Sequence, residues 1–247
     1  MKFYLSLLTF CIFFISCNSK DDGKIELETG ISHELAKYRK QQIADVVYNL
    51  QFKIPKEKEN SIPSKLELNF TLNDLQNDVV LDFNEATSTL KSIKINDKKS
   101  EIKHQKEHII IDKTKLVLGK NSIEILFDAG ETSLNRSDEF LYTLLVPDRA
   151  STLFPCFDQP DIKAKYNLRL TAPRDWEVLA AGFEESSIEI DGFITHTFAT
   201  SDLMSTYLFS FVAGKFTSVT ENPGAFEMRF LYRENNQVGE FDVDFGN

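Results

Sequence analysis

Apolar and polar residues alternate along most of this chain, and that period of two constrains its fold more than any other feature. Tyr48, Leu50, Phe52 and Ile54 alternate with Asn49, Gln51 and Lys53, and Leu66, Leu68, Phe70 and Leu72 alternate with Glu67, Asn69 and Thr71. Successive side chains of a β-strand point to opposite faces, so such runs bury one face and wet the other. The pattern recurs at 79–83, 92–95, 108–112, 122–127, 165–170, 176–180, 194–198, 207–212 and 226–232. Turn-forming stretches separate the runs, among them Asn96-Asp97, Leu118-Gly119-Lys-Asn121, Ala172-Pro-Arg-Asp175, Asp191-Gly192 and Glu221-Asn-Pro-Gly224. One short helix is predicted from an N-cap at Ser32 to about Gln42, where Leu35 and Tyr38 give a partial apolar stripe. The fold class is therefore all-β: a large saddle-shaped β-sandwich of antiparallel sheets, with roughly ten strands and one short N-terminal helix.

A chain of 247 residues fits one large all-β domain or two ordinary ones. Its 21 Phe against one Trp suit broad sheet faces. A net charge of −10 argues against nucleic acid as a partner, because phosphates attract a basic surface. Lys2 and the apolar run from Phe3 to Ile15 have the length of a signal-peptide core and are too short to span a bilayer comfortably. Phe14-Ile-Ser-Cys17 resembles a bacterial lipoprotein box, and Asn18-Ser-Lys-Asp-Asp22 is similar to the acidic tether of Bacteroidetes-type lipoproteins. The division that follows is a signal peptide over 1–16, an acidic tether over 17–29, a β-domain over 30–234 and the start of a linker over 235–247. Lipid on Cys17 would make a membrane the chain's partner and place the protein in the cell envelope, exported and lipid-anchored. Each buried CH₂ of an acyl chain contributes about 0.8 kcal/mol to that anchorage. An ordinary secreted protein with an incidental Cys17 is the alternative. Cys156 is the one cysteine outside the leader, which rules out an intrachain disulfide in the folded body and suits a small buried apolar side chain.

Candidate chemistry is sparse. His104-Gln-Lys-Glu-His108 has the spacing of an inverted zinc motif, which works on a helix because positions four apart share a face. Its flanks read as turn then strand, and residues four apart on a strand lie about 13 Å from one another, too far for one ion. A solvated hairpin is the expectation, with no metal site. His196 lies in the alternating run Ile194-Thr-His-Thr-Phe198 and reads as a strand residue. His-Glu-x-x-His, Gly-x-Ser-x-Gly and the glycine-rich phosphate loops are absent, so no catalytic residue is assigned and no cofactor is expected in this chain.

Phe154-Pro-Cys-Phe-Asp-Gln-Pro160, followed by Lys163-Ala164, resembles the Phe-Pro-Cys-Phe-Asp-Glu-Pro hallmark of the zinc aminopeptidases of the aminopeptidase N family. Asp45-Val-Val running into 48–54 resembles the opening strand of that family's N-terminal domain, and Thr197 to Leu208 running into Phe211-Val-Ala-Gly214 resembles its later Met-Ser-Thr-Tyr-Leu strand. In physical terms Pro155 and Pro160 fix φ on both sides of a turn, Phe154 and Phe157 can anchor it in a core, and Asp158 can accept backbone N–H groups. Phe154, Pro155, Cys156, Phe157, Asp158, Gln159 and Pro160 thus form a structural motif.

The resemblance implies a non-catalytic β-domain that caps and shapes the cleft of a zinc catalytic domain acting on peptides. That domain would be the chain's partner, with the peptide as substrate and zinc as the cofactor of the full-length enzyme. The end at Glu240 to Asn247 carries no stop signal and reads as cut ahead of such a domain. Family members carry Thr-Gln-x-Glu-Pro just upstream, to grip the substrate's α-ammonium. Here the run is Thr143-Leu-Leu-Val-Pro147, so Leu144 and Val146 replace the polar pair. Thr143 and Asp148 are the candidate substrate-binding residues. A stand-alone surface β-sandwich that binds peptide or protein, and a purely structural envelope lipoprotein, are the rival readings.

Overall fold

The structure is a computed structural model that describes residues 25–221 and 228–233. The leader, Cys17, most of the tether and the 235–247 stretch lie outside the described residues. Helix α1 (His33–Gln42) leads into β1 (Ile43–Lys53), β2 (Ile62–Leu72), β3 (Val79–Asp82), β4 (Leu90–Ile95), β5 (Lys98–Ser100), β6 (His104–Gln105), β7 (His108–Ile111) and β8 (Gly119–Ala129). The chain continues with β9 (Leu134–Arg136), β10 (Phe140–Thr143), β11 (Ala164–Pro173), β12 (Glu177–Ala180), β13 (Glu184–Ile190), β14 (Phe193–Phe198), β15 (Phe211–Gly214), β16 (Thr217–Glu221) and β17 (Met228–Tyr232). Single 3₁₀ turns at Ala150–Thr152 and Thr206–Leu208 flank the 154–160 segment in sequence.

Among the described residues an eight-stranded sheet runs in the order β13-β14-β11-β1-β2-β8-β4-β5. A four-stranded sheet (β12-β15-β10-β9), a three-stranded sheet (β3-β7-β6) and the β16-β17 pair complete the domain. The alternation expected from sequence appears directly in β2, where every second residue from Ile62 to Leu72 is buried. Ser32 caps α1 as predicted, its hydroxyl accepting the Leu35 N–H at 3.2 Å. The positive φ of Asn96 and Asp97 (48° and 64°) and of Asp191 and Gly192 (52° and 77°) makes two-residue hairpins where turns were expected.

Three features depart from the sequence expectation. The large sheet is mixed: β1 and β11 run parallel, from Val46 opposite Ala164 to Lys53 opposite Thr171. Parallel neighbours need a crossover connection, and the whole of β2 to β10 lies between these two strands. The expected strand at 207–212 is instead a 3₁₀ turn at Thr206–Leu208 followed by β15, because the Thr206 hydroxyl is drawn to Asp158 at 2.8 Å and the Phe209 N–H closes back on the Thr206 carbonyl. Seventeen strands are described, against roughly ten expected, since short pieces such as β9 and the wholly exposed β13 carry no one-sided apolar pattern.

The core converges on Phe154. Its ring meets Tyr48 and Phe209 edge-on at 5.9 Å and 5.7 Å, and Phe52 at 6.5 Å. Tyr166 of β11 stacks on Phe209 at 4.8 Å and on Tyr48 at 5.2 Å. Phe211 of β15 joins them, 5.2 Å from Phe52 and 6.1 Å from Phe209, so both large sheets and the motif share one aromatic cluster, whose edge-on contacts add to simple burial. Phe154→Ala is expected to lower unfolding stability by about 3–5 kcal/mol. Truncating Phe183, which is 89% exposed, should change it by less than about 0.5 kcal/mol. Urea denaturation of both variants checks the contrast.

Candidate functional site

The 154–160 segment is tied into the fold through its backbone. Cys156 and Asp82 form a β-bridge, the Asp82 N–H donating to the Cys156 carbonyl at 2.7 Å and the Cys156 N–H returning at 3.0 Å. The Phe157 N–H donates to the Tyr48 hydroxyl at 2.9 Å, and the Asp158 N–H donates to Asp82 Oδ2 at 2.8 Å. Phe154 through Gln159 are buried, while Pro160 is exposed. Asp158 does accept a backbone N–H, but from Ser151 at 2.9 Å, upstream of the turn, and it also accepts the Thr206 hydroxyl. Gln159 Nε2 donates to the Ala36 carbonyl at 3.0 Å, joining the segment to α1. Gly130 closes the other side: its N–H donates to the Leu153 carbonyl at 3.2 Å, and a Cβ there would run into the Thr152 carbonyl.

Asp82 is the centre of this arrangement. Arg39 of α1 grips it bidentately, Nη1 to Oδ2 at 2.7 Å and Nη2 to Oδ1 at 2.8 Å, and His108 Nδ1 lies 3.0 Å from Oδ1. The Arg39 guanidinium also sits over the Phe157 ring at 5.6 Å. Burial alone would raise the Asp82 carboxyl, but the Arg39 charge and the hydrogen bonds from His108, Arg39 and the Asp158 N–H hold it below its ordinary value. Asp158 shifts the other way: burial raises it, the Asp82 charge adds to that, and its donors offset only part. The Cys156 thiol is pushed well up by burial and by the charges of Asp158 and Asp82, which leaves it inert.

Neither Arg39 nor Asp82 was singled out from sequence, yet both left a signal. Leu35, Arg39 and Gln42 share the buried face of α1 at helical spacing, which places a cation inward. Asp82 sits in a strand whose four residues are all buried, and a carboxylate there requires partners. The hairpin expected at His104–His108 is present as β6 and β7, but the solvated reading is corrected for His108, which is only 1% exposed because Asp82 and the segment 28–30 cover it. His104 faces away, to the Thr87 hydroxyl at 2.8 Å and the Phe83 carbonyl at 2.9 Å. The two histidines do not converge on one point. No group of three or more His, Cys, Asp or Glu able to hold a metal occurs among the described residues. His196 is indeed a β14 residue, with Nδ1 3.1 Å from Glu184 Oε1.

The candidate substrate residues are placed apart. Thr143 ends β10 and exchanges hydrogen bonds with Phe211 of β15, at 3.3 Å from its N–H and 3.5 Å to its carbonyl. Leu144 and Val146 follow as exposed apolar side chains (49% and 65%), and the Val146–Pro147 peptide is cis. Asp148 is exposed and lines a cavity of about 440 Å³, together with Arg149, Asp82, His108 and Asp158; Thr143 is not on it.

Removing the central carboxylate tests this arrangement. Asp82→Asn should destabilise the protein by about 3–5 kcal/mol near neutral pH, because Arg39 is left buried without its counter-charge. A carboxyl depressed on folding contributes stability above its unfolded value of 3.8 and loses it as pH falls through the lower folded value. Urea unfolding over an acid pH series should therefore show a step in the wild type that Asp82→Asn lacks.

The sequence of residues 44–208, more than half of the chain, matches the Peptidase M1 N-terminal domain. The chain is 27% identical over 108 residues to membrane alanyl aminopeptidase of Manduca sexta, covering 42% of this chain and 11% of that protein. It is 32% identical over 110 residues to aminopeptidase N of Plutella xylostella (41% and 12%), and 35% identical over 92 residues to glutamyl aminopeptidase of Rattus norvegicus (37% and 10%). These alignments span about a tenth of each relative. The fold is similar to that of the M1 zinc metallopeptidase from Deinococcus radiodurans, with a TM-score of 0.66 at 16% identity over 81% of this chain and 49% of that one. A mutant of that enzyme bound to a Tyr-Ser-Ala substrate gives 0.64 at 17% identity, over 80% and 49%. The chain belongs to the Peptidase M1 N-terminal domain family.

Proposed function

We propose that this chain is the non-catalytic N-terminal β-domain of a zinc aminopeptidase that removes N-terminal residues from peptides, and that it caps and shapes the cleft of a catalytic domain carried elsewhere in the protein. The observation that carries this reading is the family match over 44–208, which takes in both the buried 154–160 segment and the exposed loop 144–149. Zinc would be held by the catalytic domain. Leu144, Val146, Leu203 and Leu208 are large apolar side chains between 49% and 65% exposed, on loops that flank the motif, and a docked neighbouring domain would cover them. Asp148 is the acidic side chain available to meet a substrate ammonium where Leu144 and Val146 replace the usual polar pair. It opens onto the same cavity as three further carboxylates, Asp82, Glu107 and Asp158.

Kinetics on aminoacyl-anilides test this. The full-length protein should release amino acids in a zinc-dependent manner, and residues 18–247 alone should not; release by that piece alone would overturn the proposal. In the full-length protein Asp148→Ala should raise KM by about 10- to 100-fold with little change in kcat, the effect of losing one charge-assisted contact worth about 1.5–3 kcal/mol.

Export and anchoring belong to the same proposal. Residues 1–16 act as a signal peptide and Cys17 carries lipid, which tethers the domain to the cell envelope. Labelled fatty acid should enter the wild-type protein and be lost in Cys17→Ala; label retained in the variant would count against the anchor.

A further inference from the structure

Residues 25–31 cross the β6–β7 hairpin as a strap held by side chains of that hairpin. Lys106 Nζ donates to the Leu27 carbonyl at 2.7 Å, and Glu107 Oε2 accepts the Gly30 N–H at 3.2 Å. His108 Nε2 lies 3.0 Å from the Glu28 carbonyl and 3.0 Å from the Gly30 carbonyl. Lys106 and Glu107 have φ of 50° and 66°, a left-handed conformation that such residues rarely adopt, and their side chains are both engaged with the strap.

The hydrogen-bond polarity at His108 has one consistent solution. Nδ1 faces a carboxylate oxygen and Nε2 faces two carbonyl oxygens, and all three are acceptors. A neutral imidazole keeps one bare nitrogen, which would then point a lone pair at an oxygen lone pair. Protonating Asp82 instead is disfavoured, because its two oxygens already receive both Arg39 nitrogens and the Asp158 N–H.

We propose that His108 is an imidazolium that clamps the 25–31 strap onto the domain, so that loss of one proton releases it. The strap forms one wall of two cavities. Ile25, Glu26 and Leu27 line the larger, of about 1000 Å³, and Gly30 and Ile31 line the 440 Å³ cavity that Asp148 borders. Release therefore opens both.

The surrounding charges set the sign. Asp82 on β3 attracts the imidazolium and Arg39 on α1 opposes it. Glu107 in the hairpin turn, Asp158 in the motif, and Asp148 and Arg149 in the loop border the same cavity as His108, while on the strap Lys106 bonds the Leu27 carbonyl and Glu28 meets His108 through its own carbonyl. Burial alone would lower His108, but the Asp82 carboxylate and the Glu28 carbonyl lift it above its ordinary 6.5. A group raised in the closed state contributes fully below its open-state value, and its contribution fades as pH rises to the closed-state value.

The test uses the full-length protein with ¹⁵N-labelled histidine. At about pH 6 both His108 nitrogens should carry protons. Hydrogen-exchange protection of residues 25–31, normalised to the intrinsic rate at each pH, should fall by up to about tenfold per pH unit across the His108 titration and then level off. His104→Gln should keep the step and His108→Gln should abolish it. A bare His108 nitrogen at about pH 6, strap protection unchanged while His108 titrates, or a step persisting in His108→Gln would each overturn the proposal. If His108→Gln does not fold, the wild-type nitrogen shifts and strap protection decide the question together.

Discussion

A carboxylate taken out of water loses several kcal/mol of hydration, and Asp82, 4% exposed, has to recover that from protein donors. Its partners come from three remote parts of the chain: the helix through Arg39, the hairpin through His108, and the 154–160 segment through the Asp158 N–H. Each side needs the other, because Arg39 is as deeply buried as its partner and pairs with no second carboxylate among the described residues. A cluster of this kind adds little net stability over an apolar replacement of the same shape, yet removing one member alone is strongly destabilising. Its consequence is geometric. The bidentate pair fixes the rotation of α1, the β-bridge fixes the 154–160 turn, and neither can shift without leaving a charge unpaired.

The exposed loop inherits that rigidity. Asp158 bonds the Ser151 N–H on one side and the Thr206 hydroxyl on the other, so the 3₁₀ turns before and after the motif are both held from its centre. The Asn84 N–H donates to the Ser151 carbonyl at 2.9 Å, and the Ser133 and Thr152 hydroxyls lie 2.6 Å apart, which ties the first of those turns to neighbouring segments. Residues 144–149 run directly into it. Leu145 is buried between the exposed Leu144 and Val146, so the loop is pinned at its middle while presenting its flanks outward. A surface offered this way is what the proposed cleft-capping role would require.

The architecture was readable from the sequence where one face of a strand is dry, as in β1, β2 and β8, because burial imposes a period of two. The Ser32 cap and the turn at Asp191-Gly192 were readable for a related reason: local chemistry decides them. Long-range choices were not. The parallel pairing of β1 with β11 depends on which distant strand lies beside which, and an alternating pattern carries no direction. The hairpin around His104 and His108 was expected from its flanks, but it was read as solvated because nothing local to it announces what covers His108. Burial of His108 follows from a strap and a carboxylate more than twenty residues away. Of the candidate site, the motif and its two phenylalanine anchors were legible, whereas the ions beneath it became visible only once α1, β3 and β7 were brought together.

Asp82 and Asp158 are adjacent carboxylates displaced in opposite directions, a pattern that in enzymes often assigns a base and an acid. Here the partners account for the split without any chemistry. Asp82 faces two cationic side chains and is held ionised, while Asp158 receives only a backbone N–H and a hydroxyl and lies beside the negative charge of Asp82. All four carboxylate oxygens of the pair are taken by internal donors. A group so satisfied has nothing left to offer a reacting molecule, so the perturbation marks architecture. Asp148, on the wall of the same cavity, differs from both in being exposed, which is why the proposed substrate contact is placed there.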